Sequence, residues 1–300
     1  MSTESVRVEE LWTYPVKSLQ GILHASAKIT DAGFEHDRTF MLVDEQDKFL
    51  TQRTRPELAQ FITETTDDML RITAPDGSTL EHPLEGVEGK HVDTEVHKKP
   101  CTGVDQGENP AEFFSDALRG PVRLLRASEG SSARHIKDVY QRDQAGSRVD
   151  FADGFPYLLT SRASLDELRR VLGLDYGAVP MNRFRPNIVV DAPTLEPFEE
   201  DAWGVLSRGG LEFQVARACA RCVMPSIIQS GEGTGTKGDV NVLKDLLASR
   251  KGIDLADPGK SNGRFFGQNL IHSLSSVGLT LSIGDKLEVH SAENPNIQLA

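Results

Sequence analysis

Cysteine and positive charge are both scarce in this sequence. Its 300 residues contain three cysteines, an odd number that does not form a disulfide framework. We therefore expect a reducing compartment, the cytoplasm. Lysine and arginine number 33 against 45 aspartates and glutamates, which gives a net charge of −12. Because binding to phosphate backbones and anionic membranes needs a basic surface, we expect neither nucleic acid nor a membrane surface as a partner.

Long hydrophobic runs are also absent. No apolar stretch approaches the roughly 18 residues needed to cross a bilayer, so no membrane span is predicted. The stretch Met1–Ser5 has no basic region followed by an apolar run, and we expect no secretory signal. Hydrophobic residues make up 38% and aromatic residues 6% of the chain. These values fit a folded soluble chain with one large domain or two ordinary ones.

Two of the three cysteines stand together in the segment Cys219-Ala220-Arg221-Cys222. Leu211–Val215, just before it, is apolar at every second position, which predicts a half-buried strand. The cysteines should then lie where this strand ends, next to Arg217 and Arg221. Cationic surroundings favour the thiolate form of cysteine, which is both a nucleophile and a soft metal ligand.

Four interpretations of this cysteine pair remain open at this point. In the first, the thiols are small core residues. In the second they bind structural zinc, but such a site needs four Cys or His ligands, and Cys101 stands alone with no histidine near the pair in sequence. The third is a redox pair, but a redox Cys-x-x-Cys usually opens a helix, whereas Val223–Ser226 shows no helix-opening pattern. The fourth is one thiolate that binds one soft metal centre.

The residue pattern predicts a β-rich first hundred residues, followed by a few helices. One helix should begin with Asn109 as its N-cap and end at Gly120. A capping box formed by Ser164 and Glu167 predicts the start of a second helix. A third helix should close at Gly252.

Three other segments carry weaker patterns. Residues 127–150 are rich in Ser, Gly, Arg, Asp and Gln, which predicts a mobile loop or a passage between domains. Residues 261–269 contain Gly and Phe and are expected to form a loop. Residues 277–289, with Ile283-Gly284-Asp285-Lys286 at their centre, predict a hairpin.

Six short motifs stand in order along nearly the whole chain. They are Tyr14-Pro15-Val16-Lys17-Ser18, Asp37-Arg38, Arg185-Pro186-Asn187-Ile188-Val189, Glu200-Asp201-Ala202-Trp203, Cys219-Ala220-Arg221-Cys222 and Phe266-Gly267-Gln268. Together they resemble the MOSC family, the group of the molybdenum-cofactor sulfurase C-terminal domain. Within it they are most similar to the amidoxime-reducing proteins, which include the mitochondrial amidoxime reducing component and its bacterial relatives.

The resemblance implies a fold and a division into domains. The fold is α+β, with a β-barrel-rich MOSC core, an N-terminal β-rich MOSC N-terminal domain and a few peripheral helices. The domains are a MOSC N-terminal β-barrel domain at residues 1–126 and a MOSC domain that binds the molybdenum cofactor at residues 127–300.

The resemblance also implies the cofactor Mo-molybdopterin, in which the dithiolene of a phosphate-bearing pterin holds molybdenum. In this family the second cysteine of the pair ligates the metal, so Cys222 is the expected metal ligand and catalytic residue, and Cys219 is not. Arginine suits phosphate because its fork of donors matches the oxygens, and Asn187 offers a donor and an acceptor to the edge of a pterin. The implied cofactor-binding residues are Lys17, Ser18, Arg38, Gly154, Phe155, Arg185, Asn187, Ala220 and Arg221.

The implied function is the reduction of small N-hydroxylated compounds, such as amidoximes, hydroxylamines and N-hydroxylated bases. The chain has no cysteines for an iron–sulfur cluster, so a separate flavin, haem or iron–sulfur protein is expected to supply electrons. Two alternatives stay open: a carrier or transfer module for the molybdenum cofactor or for sulfur, without substrate turnover, and a dithiol redox protein. In one departure, relatives often have Ser where this chain has Ala220. In another, residues 227–235 are longer than in relatives and lack their Asp-Pro.

Overall fold

Strands dominate the structure. The computed structural model describes residues 4–66, 68–128, 134–141, 147–175, 177–231, 233–238, 241–255, 263–292 and 297–299. In chain order the strands are β1 (Ser5–Thr13), β2 (Ile22–His24), β3 (Ser26–Thr30), β4 (Gly33–Phe34), β5 (Phe40–Val43), β6 (Ile62–Thr65), β7 (Met69–Thr73), β8 (Thr79–Pro83), β9 (His91–Val96), β10 (Lys99–Asp105), β11 (Arg123–Ala127), β12 (Arg134–His135), β13 (Arg148–Val149), β14 (Tyr157–Ser161), β15 (Ile188–Asp191), β16 (Trp203–Arg208), β17 (Leu211–Ala220), β18 (Lys251–Asp254), β19 (Gly263–His272), β20 (Thr280–Ser282), β21 (Lys286–Ser291) and β22 (Ile297–Leu299). The α-helices are α1 (Glu108–Leu118), α2 (Asp138–Gln141) and α3 (Arg162–Val171). Shorter helical turns occupy Pro56–Gln60, Met181–Phe184, Glu199–Ala202, Met224–Ser226, Val242–Leu246, Ala248–Arg250 and Leu274–Ser276.

Seven of the described strands close into a barrel. Its order is β14, β15, β1, β21, β16, β17 and β19, and it closes because β19 pairs with β14. β14 and β15 run parallel, and the other barrel neighbours are antiparallel. Side chains fill the interior of a barrel of this size. Its core includes Val8, Leu11, Tyr157, Ile188, Trp203, Phe213, Leu270 and Leu287.

The N-terminal strand belongs to this barrel. β1 pairs with β15, where Leu11 faces Ile188, and with β21, where Val6 faces Leu287. The barrel therefore joins the beginning of the chain to strands that follow residue 156. The division of the chain between residues 126 and 127 stays a prediction.

Residues 40–127 add two smaller antiparallel sheets. In the described chain, β5, β11, β10 and β9 form one sheet, and β6, β7 and β8 form the other. The helix α1 packs Phe114 and Leu118 into a core that also contains Phe40, Phe61, Leu70 and Leu124. The predicted α+β fold, rich in β-barrel and with few helices, is confirmed.

Two helices begin earlier than their sequence signals predict. The N-cap of α1 is Gly107 rather than Asn109, and its C-cap is Arg119, one residue before Gly120. The N-cap of α3 is Ser161, whose side chain accepts a hydrogen bond from the Ser164 backbone N–H. Ser164 is not the cap because it lies inside the helix, and its hydroxyl donates to the Glu200 carboxylate. None of the helices in the described part of the chain has the length and apolar character that a bilayer crossing requires.

The C-terminal predictions were wrong in three places. The segment expected to be a loop at 261–269 lies in β19 from Gly263 onward. It forms a strand because its backbone pairs with β17 on one side and with β14 on the other, which closes the barrel. The expected hairpin at 277–289 does not form, because β20 pairs with β3 while β21 pairs with β1 and β16. Gly252 does not end a helix but lies within β18. Residues 261 and 262 lie outside the described residues.

The segment 127–150, expected to be a mobile loop, contains regular structure where it is described. β12 pairs with β13, and α2 lies between them in sequence. Ile136, Tyr140 and Val149 pack in one small core cluster with residues of the barrel wall. Residues 129–133 and 142–146 lie outside the described part of the chain.

Candidate functional site

One cavity brings together every site residue that the sequence predicted. Its volume is about 190 Å³, and its walls include the end of β17, the turn after β1 and the turn before β15. The predicted residues that line it are Lys17, Ser18, Arg38, Gly154, Phe155, Arg185, Asn187, Ala220, Arg221 and Cys222. Their individual roles toward a cofactor stay predictions.

Three of these residues hold the left-handed backbone conformation, which residues other than glycine rarely adopt. The φ angles of Ser18, Arg38 and Arg185 are 73°, 52° and 55°. Each such residue costs on the order of 1–3 kcal/mol and persists only where the surrounding structure fixes it. The packing around the cavity therefore fixes the directions in which these three side chains leave the backbone.

Tyr14 supports two of the arginines. The guanidinium carbons of Arg38 and Arg185 lie 4.3 and 4.1 Å from the centroid of its ring, within the range of cation–π attraction. The ring is buried, and its hydroxyl donates a hydrogen bond to the Pro186 carbonyl oxygen at 3.0 Å. Burial lowers the pKa of Arg185 to about 10, and the nearby Arg38 charge acts in the same direction. Arg185 is therefore still a cation at neutral pH.

Asn187 holds Arg38 in place. Its Oδ1 accepts hydrogen bonds from Arg38 Nη1 at 2.9 Å and from the Leu158 backbone N–H at 3.2 Å. Its Nδ2 donates to the Trp12 carbonyl oxygen at 3.1 Å. Most of the hydrogen-bonding capacity of this amide is therefore used within the protein. The second N–H of Asn187 Nδ2 is the group left for the expected contact with the edge of a pterin, and that contact stays a prediction.

A reciprocal pair of buried amides links Ser18 to Arg185. Gln52 Nε2 donates to Gln229 Oε1 at 3.1 Å, and Gln229 Nε2 donates to Gln52 Oε1 at 2.8 Å. Gln52 also donates to the Ser18 carbonyl oxygen at 2.7 Å, while Gln229 Oε1 accepts from Arg185 Nη1 at 3.2 Å. The segment 227–235 thus supplies a direct support for Arg185.

Lys17 is buried against an anionic neighbour. Its Nζ donates to the Phe151 carbonyl oxygen at 2.9 Å and forms an ion pair with Asp153 Oδ1. Burial lowers the pKa of Lys17, and the Asp153 charge opposes that change. Burial alone raises the pKa of Asp153, but Lys17 and His97 together hold it well below its ordinary value. Asp153 therefore stays ionised and partly neutralises the cations around it.

The two cysteines lie at the end of β17 with different surroundings. Cys219 is within the strand, and its Sγ accepts a hydrogen bond from Arg221 Nη1 at 3.1 Å. Arg221 Nη2 donates to the Phe184 carbonyl oxygen at 2.7 Å. Cys222 follows the strand in the loop, and both cysteines are free and partly exposed. The prediction that the pair stands where a strand ends is confirmed.

Two buried guanidinium nitrogens in the cavity wall, Arg183 Nη2 and Arg221 Nε, have no hydrogen-bond partner among the described residues. Because buried N–H donors are almost always satisfied, acceptor atoms of a ligand would suit this pair. A phosphate-bearing pterin dithiolene has such acceptors, and Cys222 offers the soft thiolate that suits a sulfur-rich metal centre. The residues present therefore fit the implied cofactor.

Several cavity residues were missed by the sequence analysis. Arg183 stands two residues before the motif that begins with Arg185, so its position in the sequence was a usable signal. Arg53, His97 and Asp153 come from separate turns, and the sequence offers no pattern that joins them. Tyr14 belongs to a recognised motif, but its role as the support for two arginines depends on tertiary contacts.

Comparison with known proteins decides the family. Residues 5–121 match the MOSC N-terminal beta barrel domain, and residues 146–288 match the MOSC domain. The chain belongs to the MOSC-domain family. The resemblance noted from the sequence motifs is therefore confirmed.

Similar proteins of this MOSC family include amidoxime reducing components. Mitochondrial amidoxime reducing component 2 of Bos taurus is 29% identical over 93% of this chain and 81% of its own length. Mitochondrial amidoxime-reducing component 1 of Mus musculus is 29% identical over 93% of this chain and 80% of its own length. Molybdenum cofactor sulfurase of Drosophila melanogaster is 32% identical over 72% of this chain but only 27% of its own length. These relatives connect this MOSC protein with the molybdenum cofactor.

Proposed function

We propose that this MOSC protein holds a molybdenum cofactor and reduces small N-hydroxylated compounds such as amidoximes, hydroxylamines and N-hydroxylated bases. The observation that carries the proposal is the meeting of the Cys222 thiol with the cations Lys17, Arg38, Arg185 and Arg221 in one cavity. The similarity to amidoxime reducing components along 93% of the chain supports the choice of substrate class.

The cations of the cavity would hold the anionic parts of the cofactor. Arg38 and Arg185 are fixed by Tyr14, and Arg183 and Arg221 each keep an unsatisfied buried donor among the described residues. Preorganised donors of this kind bind phosphate and sulfur anions without the cost of ordering flexible side chains. Cys222 would supply a thiolate to the metal. When bound, molybdenum supplies the two-electron chemistry that the reduction of an N–OH group requires.

The remaining wall of the cavity suits a small organic substrate. Phe49, Phe155, Phe184 and Met224 contribute apolar surface next to the charged residues. Apolar walls with a few fixed polar groups are typical of small-molecule sites. We propose that a separate redox protein, carrying flavin, haem or an iron–sulfur cluster, supplies the electrons.

An assay of amidoxime reduction tests the proposal. Molybdenum-loaded protein is mixed with benzamidoxime and reduced methyl viologen, which removes the need to know the natural electron donor. We expect benzamidine to form at a rate proportional to the molybdenum content. Fully loaded protein that forms no benzamidine would contradict the proposed reaction.

A second function, transfer of the cofactor or of its sulfur, is favoured by one comparison. The 32% identity with molybdenum cofactor sulfurase is the basis for it, although that relative is much longer. In this alternative a cysteine of the pair carries a persulfide and no molybdenum remains bound. Mass spectrometry of the purified protein separates the two functions, because a persulfide adds one sulfur atom to Cys219 or Cys222.

A further inference from the structure

The hairpin between β9 and β10 turns on two residues that do not suit its geometry. His97 and Lys98 join the strands, and their φ angles are 52° and 64°. A two-residue hairpin turn with both φ angles positive strongly favours Asn-Gly or Asp-Gly, because other residues are strained there. Strained residues of this kind cluster at functional sites. The turn therefore keeps a histidine at a conformational cost.

This turn places His97 in the wall of the cavity that Cys222 also lines. The ring lies edge-on to Phe49, with 5.5 Å between ring centroids. Its Nε2 lies 3.1 Å from Asp153 Oδ1, and about a third of the side chain is exposed to solvent. His97 also lines an adjoining cavity of about 350 Å³.

Among the charged groups described around His97, one carboxylate, that of Asp153, faces several cations. Arg53 lies alongside the ring, with its two terminal nitrogens each 3.5 Å from a ring nitrogen. Asp153 faces Arg53, Lys17 and His97 together, and Lys99 lines the adjoining cavity with the ring. Asp153 therefore fixes the orientation of the imidazole and offsets the positive charge of Arg53 next to it.

Reduction of an N-hydroxylated compound needs two protons as well as two electrons. The N–O bond breaks, one proton ends on the nitrogen, and the other leaves with the oxygen as water. The electron pair comes from the reduced redox protein that the proposed function requires. A side chain at the cavity that releases a proton near neutral pH lets the oxygen leave as water rather than as hydroxide.

Several other ionisable groups of the cavity wall are poorly suited to give this proton. Asp153 is held ionised, burial raises the pKa of Tyr157 well above its ordinary value, and arginine does not release protons at neutral pH. Lys17 is committed to Asp153 and to the Phe151 carbonyl oxygen. Histidine is the side chain that exchanges a proton most readily near neutral pH.

We propose that His97 donates the proton to the departing oxygen, with Asp153 as the residue that positions it. This inference rests on the proposed function. Water that enters from the adjoining cavity restores the proton to His97 after each turnover, and the second proton reaches the nitrogen of the product from solvent.

The test compares His97→Asn and His97→Gly with Lys98→Gly as the matched control. Asn and Gly suit a left-handed backbone, so both changes at position 97 should keep the conformation of the turn. The measurements are the melting temperature, the molybdenum content, and kcat and KM for benzamidoxime with reduced methyl viologen. Lys98 shares the turn, and Lys98→Gly controls for changes in its backbone.

We expect equal molybdenum in all four proteins and wild-type kinetics for Lys98→Gly. In His97→Asn we expect kcat to fall by about 100-fold or more, the size of a general-acid contribution, with little change in KM. Added imidazole should restore part of the turnover of His97→Gly, which a purely structural role would not allow.

Wild-type kcat in His97→Asn would overturn the inference, and so would a loss of molybdenum from that variant or a failure of imidazole to restore any turnover. A wild-type protein that carries molybdenum but forms no benzamidine overturns the proposed function, and this inference with it. Because wild type and variants are measured side by side, the two failures are distinguishable.

Discussion

The guanidinium of Arg221 donates a hydrogen bond to the sulfur of Cys219 at 3.1 Å, and this contact makes the two cysteines of the pair unequal. Cys219 lies within β17, and its sulfur is bound by Arg221, two residues further along the chain. For Cys222, the described residues provide no hydrogen bond to the sulfur. The cysteine that the sequence motif assigns to the metal is therefore also the one that the protein leaves available.

The absence of a side chain at Gly21 leaves room for the Tyr14 ring, which packs against Arg38 and Arg185. A Cβ atom at Gly21 would lie 2.4 Å from Tyr14 Cε1, which is too close for any packed contact. We expect Gly21→Ala to displace the ring, to lower the free energy of unfolding by about 1–3 kcal/mol and to reduce cofactor retention. Urea denaturation and molybdenum content measure the two effects.

Gly120→Ala is the matched control for that substitution. A Cβ at Gly120 meets no atom within 4 Å, so its effect on the free energy of unfolding should stay within about 0.5 kcal/mol. If Gly21→Ala behaves like Gly120→Ala, Tyr14 does not depend on the space at Gly21.

Gln229 holds Arg185 through its side-chain oxygen. In Gln229→Ala, Arg185 Nη1 and the Nε2 and Oε1 atoms of Gln52 each lose a partner in a buried environment. Such unsatisfied groups cost about 1–3 kcal/mol, and we expect that decrease in the free energy of unfolding together with weaker cofactor retention. Exposed Gln46, which contacts Glu45 and the Asp44 carboxylate, provides the control Gln46→Ala. Equal stability of the two variants would contradict this account of Gln229.

Glu200 makes stability depend on pH. Its buried carboxylate accepts hydrogen bonds from Ser164 at 2.7 and 2.8 Å and from Ser161 at 3.1 Å. Burial, assisted by the charge of Asp201, raises the pKa of Glu200 from 4.5 to about 7. Between these values the folded state keeps a proton that the unfolded chain releases. The contribution of Glu200 to stability is therefore full below the lower value and falls as pH rises toward the upper one.

Glu200→Gln should remove this dependence. We expect the free energy of unfolding of the wild type, relative to that of Glu200→Gln, to decrease by about 3 kcal/mol or less as pH rises from about 4.5 to 7. Urea denaturation at several pH values measures the difference. The surface variant Glu64→Gln serves as control and should run parallel to the wild type. A constant difference between wild type and Glu200→Gln would show that Glu200 titrates normally.

Site residues that belong to short sequence motifs could be predicted from the sequence. Cys222, Lys17 and Arg185 stand in segments of recognisable composition, and the structure brings all three to one cavity. The positive φ angles of Ser18, Arg38 and Arg185 could not be foreseen, because serine and arginine are not residue types that signal positive φ. Nothing in the local sequence indicates that conformation, since tertiary packing imposes it.

Contacts between distant segments account for the other differences. Phe265 and Phe266 lie in a segment predicted as a loop, yet both are buried in β19, because the strand forms only when the barrel closes. His97 was missed for a related reason. Its turn lacks the Asn-Gly or Asp-Gly pattern that signals a hairpin, and its partner Asp153 lies 56 positions further along the chain.

The molybdenum content of three purified proteins tests whether Cys222, and not Cys219, ligates molybdenum. Wild type, Cys222→Ser and Cys219→Ser are prepared in a host that makes the cofactor, and their melting temperatures confirm that all are folded. We expect near-stoichiometric molybdenum in the wild type and in Cys219→Ser, and a much lower content in Cys222→Ser. Wild-type molybdenum in Cys222→Ser, or an equal loss in both variants, would show that Cys222 is not the specific ligand.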